Sequence, residues 1–376
     1  MSVTIALIRE TQPGERRVAL DPGAVQRLID RGVEVVMERG AGEQARYPDS
    51  DYAPSRFVDR PEEALAEADI LVKIHPPTPE EAAALREGAL YVGFTEHHRE
   101  PERIIAMRDA GVSGLSFELV PRISRAQAMD ALSSQATITG YKGAIIAAEH
   151  SGRLFPMLTT AAGTIRPAQV VVIGAGVAGL QAIATARRIG AQVQAYDIRP
   201  DAREQVESLG ARLIDTGIDA TGEGGYAREL TDEEKQKQAE VLAERLARSD
   251  AVICTAGVPG RPAPKIVPAT MVEGMKVGSV IVDLVAEGGG NCELTQPGQT
   301  IEHSGVIIAG PTNVPSLAAV HASEMYGRNL LKLLEPVLGD DGVSLDFSDE
   351  VLDACVLTHA GAIRHEPTRK AIEGET

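Results

Sequence analysis

The chain has 376 residues, 43% of them hydrophobic, with 3% aromatic and no Trp, which points to two domains whose cores are mostly Ala, Val, Leu and Ile. A formal charge of -17 without a basic stripe excludes nucleic acid as a partner. Cys254, Cys292 and Cys355 have neither disulfide-framework nor zinc-ligand spacing, as expected in a reducing cytoplasm.

The opening MSVTIALIRE is too short an apolar run for a secretory leader and reads as a first strand over 3–8. No stretch offers the ~18 consecutive apolar residues of a bilayer span, so no direct membrane insertion is expected. Helical patterns over 24–30, 64–68, 79–86 and 102–109 alternate with strands over 33–37, 70–74, 90–94 and 112–117. That alternation predicts an α/β chain with a doubly wound parallel sheet. Residues 125–148 are Ala-rich with few breakers and predict a helix linking two domains. A second α/β pattern follows, with strands over 170–173, 251–254, 280–284 and 306–309 and a Gly- and Pro-rich loop, TAGVPGRPAPK, after the second of these. Between Asp215 and Glu240 the polar, Gly-rich and then densely charged sequence predicts an exposed, mobile insertion. The chain is expected to return to its first domain after about Leu330, giving domains 1–135 plus 330–376 and 136–329.

The motif VVVIGAGVAGLQAIATARRIGAQVQAYD sets Gly174, Gly176 and Gly179 at G-x-G-x-x-G spacing directly after an apolar strand. Gly174 permits a tight turn, Gly176 lets the backbone approach a diphosphate, and Gly179 lets the following helix pack on its strand. A bare G-x-G-x-x-G is weak evidence. Here a second strand over 192–196 ends in Asp197, 23 positions after Gly174. A carboxylate there accepts ribose hydroxyls and repels a 2'-phosphate, favouring NAD(H) over NADP(H), although S-adenosylmethionine sites also combine a Gly-rich turn with an acid. Arg199 fits stacking on adenine, binding phosphate, or a plain surface role.

The segment PRISRAQAMDALSSQATITGYKGAI, residues 121–145, closely resembles the NAD(H)-binding domain of proton-translocating nicotinamide nucleotide transhydrogenase. GERRVAL, FPMLTTAAGTIRPA, EGGYARELTDEE and DLVAEGGGN are similar to the same family, so the resemblance covers most of the chain. It implies two Rossmann-like domains flanking a nucleotide cleft, and direct hydride transfer between NAD(H) here and NADP(H) on a partner subunit. It also implies a homodimer, and a membrane subunit that conducts protons and holds the complex on the cytoplasmic side. Full-length relatives continue into transmembrane helices, whereas this sequence stops at Thr376, which suggests a separately encoded alpha component.

By the same match Arg122, Gln127, Asp130 and Ser133 lie beside the nicotinamide, and Tyr226 belongs to a mobile loop that closes over nucleotide. Ala175, Gly176 and Val177 line the diphosphate, Asp197, Ile198 and Arg199 hold the adenosine end, and Gly225, Gln238 and Gly257 lie along the cofactor. From the residues alone, Gln127, Asp130 and Ser133 share a face at three-residue spacing, which suits a ribose or carboxamide, although an N-capping, solvent-facing helix start is the commoner meaning of such a polar stripe.

The rival enzyme is alanine dehydrogenase, a relative that needs a general acid/base because oxidising an amino acid moves a proton with the hydride. Arg17 and Lys73 resemble its carboxylate-binding and lysine positions. Where it has its catalytic histidine, LYVGFTEHH places Thr95, with His97 and His98 displaced. Strand periodicity turns His98 to the opposite face and leaves His97 a shifted alternative. A non-catalytic NAD(H) sensor is the third reading.

Overall fold

Four helices in the first third of the chain begin on proline, whose fixed φ and missing N–H suit the first helical position. They are α1 (Pro22–Ile29), α2 (Pro61–Glu67), α3 (Pro79–Ala84) and α4 (Pro101–Asp109). Thr78 and Glu81 close a capping box at α3, and the Asp21 carboxylate accepts from Gly23 N–H at α1. Between these helices run β1 (Thr4–Leu7), β2 (Glu34–Glu38), β3 (Arg56–Val58), β4 (Ile70–Val72), β5 (Leu90–Gly93) and β6 (Ser113–Ser116).

The computed structural model describes residues 3–199, 201–218, 228, 230–258, 260–339 and 342–374. It divides into two compact units, Met1–Gln135 with Pro315–Thr376, and Ala136–Val314. The boundary falls within α5 (Ala131–His150).

The second unit opens with a hairpin of β7 (Leu158–Thr160) and β8 (Gly163–Ile165). Its sheet uses β9 (Gln169–Ile173), β10 (Gln192–Tyr196), β11 (Arg212–Leu213), β12 (Ala251–Cys254), β13 (Val280–Asp283), β14 (Thr300–His303) and β15 (Val306–Ala309). Its helices are α6 (Val177–Arg188), α7 (Ala202–Ser208), α8 (Asp232–Arg248) and α9 (Ala269–Glu273). The chain then re-enters the first unit through α10 (Ala319–Leu334), a small hairpin of β16 (Leu338–Gly339) and β17 (Gly342–Val343), α11 (Glu350–Cys355), β18 (Val356–His359), β19 (Ala362–Ile363) and α12 (Glu366–Glu373). Tyr326, Leu330, Leu333 and Leu334 of α10 lie in the first unit's core, so the return begins at Pro315, ahead of this helix.

The first sheet runs β19-β18-β6-β5-β4-β1-β2-β3, parallel from β6 to β3, with β18 and β19 antiparallel at the edge. The second runs β11-β10-β9-β12-β13-β15-β14, parallel except for β14. Both are doubly wound, as the alternation predicts. Neighbouring residues on a strand feed opposite faces: Val170 and Val172 enter one core of the second unit, Val171 and Ile173 the other. Burial on both faces explains why these strands read as continuous apolar runs.

The expected mobile insertion needs correcting at its charged end. From Asp232 the sequence is α8, started by a Thr231–Glu234 capping box and anchored by buried Leu242 and Leu246. Residues 219–227 and 229 fall outside the described residues, and with them Gly225 and Tyr226. Among the described residues no helix is long and apolar enough to cross a membrane.

Candidate functional site

In the second sheet β9 and β12 are neighbours, but their connections lead outward in opposite directions, to β10 and to β13. At such a reversal a parallel sheet opens a crevice beyond its strand ends, the usual ligand position in this architecture. Two segments border it, the turn after β9 at Gly174 and the loop after β12 that starts at Thr255.

Gly174 has φ +91, a conformation that side chains rarely adopt. Each glycine of the motif answers to a different constraint. A Cβ on Gly179 would sit 1.9 Å from Gly174 O, so α6 packs directly on the turn, whereas a Cβ on Gly176 would meet nothing within 4 Å. Gly176 is the N-cap of α6 and supplies no side-chain cap, which leaves first-turn N–H groups for an anion. Ala175 is buried, while Gly176 and Val177 are exposed.

Asp197 follows β10 and closes the turn: its Oδ2 accepts from Ala175 N–H at 2.8 Å. Arg199 donates to Oδ1 from its backbone N–H and Nε, both at 2.9 Å, and to Oδ2 from Nη2 at 2.8 Å. Burial by itself raises the Asp197 pKa, but the Arg199 donors and the Ala175 amide outweigh it and hold the carboxyl below its usual range. Four donors fill the acceptor positions of this carboxylate, and the Arg199 side chain takes one on each oxygen. Two adjacent hydroxyls of a ribose need that same pair of positions. Ile198 is half-buried, Gln238 is half-buried on α8, and Gly257 is exposed in the loop after β12.

Arg122, Gln127, Asp130 and Ser133 belong to the first unit. Arg122 and Gln127 are exposed. The expected continuous helix from residue 125 is instead a 3-10 segment, Ser124–Met129, followed by α5. The break comes at Asp130, whose ψ of 87° is not helical and whose carboxylate accepts from Ser133 N–H at 2.8 Å and Ser133 Oγ at 2.6 Å. It thus caps α5, and the shared face of Gln127, Asp130 and Ser133 is replaced by a capped turn.

The positions that resemble alanine dehydrogenase are already paired. Arg17 is buried and holds Glu15 through Nε at 2.8 Å and Nη2 at 2.6 Å, and Gln135 Oε1 through Nη1 at 3.0 Å. Buried Lys73 donates to Glu81 Oε2 at 2.8 Å. Thr95 is buried against Ser116, Oγ to Oγ 2.9 Å. His97 is buried too, its Nδ1 3.1 Å from Thr95 Oγ1, and burial together with His98 and His365 pulls its pKa down to about 3. It is therefore neutral near pH 7. His98 is exposed, but its ring centroid lies 3.9 Å from that of His97, so the two are not turned to opposite faces as strand periodicity predicts; both follow the end of β5 at Gly93, where that alternation no longer applies.

His75 lies between Glu15, 2.8 Å from its Nε2, and Glu96 at Nδ1. Burial alone lowers its pKa, but these carboxylates, with Glu10 behind them, push it up to about 9. The stabilisation by this imidazolium is complete below about pH 6.5 and disappears as pH rises through 9, with an upper bound of roughly 3 kcal/mol. Urea unfolding at pH 6.5 and 9.5 should show the parent losing stability relative to His75→Gln; parallel curves would remove this role.

The family model described as "Alanine dehydrogenase/PNT, N-terminal domain" matches residues 6–139, and its C-terminal counterpart matches residues 143–366. The chain belongs to the alanine dehydrogenase/PNT family. Within that family it is 43% identical over 374 residues to the first portion of the NAD(P) transhydrogenase alpha subunit of Rhodospirillum rubrum, covering 96% of this chain and 97% of that protein. A transhydrogenase crystal structure from Sinorhizobium meliloti superimposes with a TM-score of 0.87 at 43% identity, covering 96% of this chain and 99% of that one. Alanine dehydrogenase of Bacillus subtilis is 30% identical over 322 residues, covering 83% of this chain and 79% of that protein.

Three residues at the crevice escaped the sequence. Thr255 Oγ1 donates to Ile173 O at 3.0 Å and Gly174 O at 2.9 Å, bracing the turn from β12. Gly140 of α5 lets that helix approach α6, since a Cβ there would lie 2.0 Å from Ala178 O. Asn291 holds the loop after β12. Only Gly140 left a local signal, a glycine inside a helix where it costs about 1 kcal/mol relative to Ala.

Proposed function

We propose that this chain is the NAD(H)-binding subunit of a transhydrogenase, passing hydride between NAD(H) held here and NADP(H) on a separate subunit, coupled to proton passage through a membrane subunit. The observation that carries the reading is the Gly174 turn joined to Asp197 through the Ala175 amide. The turn offers first-turn amides of α6 to a diphosphate, and Gly176 has open space for close approach. Asp197 takes the adenosine ribose once the Arg199 side chain swings aside, with Ile198 and Arg199 flanking the adenosine and Ala175, Gly176 and Val177 along the diphosphate. Gly225, Gln238 and Gly257 complete the cofactor contacts. Bound NAD(H) supplies the hydride chemistry. Arg122, Gln127, Asp130 and Ser133 orient the nicotinamide, and Tyr226 closes over it.

Transfer between two nicotinamides moves a hydride and no substrate proton, so the chain has to supply proximity and a dry setting rather than a general acid. That suits a neutral, buried His97 and an Arg17 and Lys73 already held by Glu15 and Glu81. Breaking such a buried pair to bind a substrate carboxylate costs about 3–5 kcal/mol. Mixing the chain with NADH and an NADP(H)-binding transhydrogenase component should give nucleotide-to-nucleotide hydride transfer. Alanine-dependent NAD reduction by the chain alone would overturn the reading, and binding with no turnover in either assay would make it a sensor.

The proposal includes a homodimer, attached to the cytoplasmic face of the membrane through partner subunits. All six residues of the β7–β8 hairpin are exposed, and Leu154, Met157, Leu158 and Ile165 expose 43–64% of their surface. A lone two-stranded hairpin is marginal in water, and a second copy would cover these apolar side chains. Met157→Asp with Ile165→Asp should shift the light-scattering mass from dimer to monomer; an unchanged mass would take the hairpin out of the interface.

A further inference from the structure

We propose that Asn291 is a positioning residue that fixes the β12 side of the nucleotide crevice, acting through Ala256. The proposal rests on the nucleotide reading of that crevice. Asn291 has no exposed surface, so it cannot touch a bound dinucleotide itself. Its Oδ1 accepts from Ala256 N–H at 3.0 Å, and its Nδ2 donates to Ala256 C=O at 2.7 Å and Pro264 C=O at 2.9 Å. Its own carbonyl accepts from Ile266 N–H at 2.9 Å and Val267 N–H at 3.0 Å. Every one of these bonds goes to the stretch 256–267. One acceptor beside two donors in a small side chain is what Asn offers, and neither Asp nor an aliphatic residue reproduces it.

Ala256 in turn limits the dinucleotide turn. A Cβ on Gly174 would lie 2.9 Å from Ala256 N and 2.8 Å from Thr255 Oγ1, so the two segments meet with no slack. Asn291 is itself mounted on the sheet rather than on a loose loop. Asp283, the last residue of β13, accepts from Cys292 N–H at 2.9 Å and Thr295 Oγ1 at 2.7 Å. The contacts run from β13 through Asp283, Asn291 and Ala256 to Gly174. A loop released from Asn291 would let the crevice widen beside the Gly174 turn, which loosens the hold on the dinucleotide's diphosphate end.

The test is NADH titration by fluorescence, with melting temperature and hydride-transfer rate, on the full chain and on Asn291→Ala and Asn291→Asp. Asn291→Ala should raise the NADH Kd about tenfold or more while the rate at saturating NADH stays within about twofold. Asn291→Asp keeps the acceptor for Ala256 N–H but sets a carboxylate against two carbonyl oxygens. Its affinity should improve as pH falls and the acid regains a donor, a trend absent from the parent. A folded variant that binds NADH like the parent overturns the proposal, as does a lowered melting temperature with unchanged Kd. Should neither variant fold, amide exchange of the parent decides: NADH should slow exchange around Ala256 and Asn291, and no change there is fatal. A parent chain that binds no NADH would instead sink the reading of the crevice.

Discussion

Gly179→Ala will weaken NADH binding about 100-fold while the chain still folds. The methyl would sit 1.9 Å from Gly174 O and 2.9 Å from Thr255 Oγ1. The first of these neighbours is backbone, which cannot rotate away, so α6 must withdraw and take its first-turn amides with it. Overpacking of this kind costs about 1–3 kcal/mol, and each 1.4 kcal/mol is tenfold in affinity. Gly140→Ala should act from the other side of the same helix, because its methyl would meet Ala178 O at 2.0 Å. NADH titration of both variants is the measurement. A Kd within threefold of the parent in both would mean that the placement of α6 does not govern the nucleotide.

Asp197→Asn should cost NADH about 2–3 kcal/mol of binding, since an amide oxygen replaces a carboxylate as acceptor for the ribose. NADPH should gain relative to NADH for two reasons. The repulsion of a 2'-phosphate goes, and Arg199 loses the partner it holds at 2.8–2.9 Å and becomes a cation beside that phosphate. The turn should survive, because Asn still offers an oxygen to Ala175 N–H, the 2.8 Å bond that closes it. Competition between NADH and NADPH on the variant measures the effect. An unchanged preference would remove Asp197 from the ribose.

Much of the architecture was written in local patterns. Strands buried on both faces show as apolar runs, so 251–254 coincides with β12 and 170–173 falls within β9. The short edge strand β3 left no such run, since Arg56 is exposed and Phe57 only half-buried. The break at Asp130 was hidden for a different reason. Composition reports helix propensity across 125–148, but a cap depends on where one carboxylate points, and Asp130 turns back onto Ser133. A domain boundary near Leu330 would cut α10, whose core-facing residues are recognisable only with the first unit folded around them. At the crevice the glycines and Asp197 were legible because their spacing is the motif. Arg199's grip on Asp197 was not, nor were Thr255 and Asn291, because those contacts bind residues that lie apart in sequence or depend on rotamers.

The two sheets share a winding order, so the first unit has its own reversal, between β1 and β4. Beyond those strand ends stand Glu10, Lys73 and His75, joined by Glu15 and Arg17 from the long connection after β1. Each cation there is matched: Arg17 and His75 to Glu15, Lys73 to Glu81. A diphosphate arriving there would compete with carboxylates for charges already neutralised, after shedding water at a cost of roughly several kcal/mol per ion. The scaffold repeats itself, but its chemistry does not, and the function proposed above therefore predicts a single dinucleotide for each polypeptide.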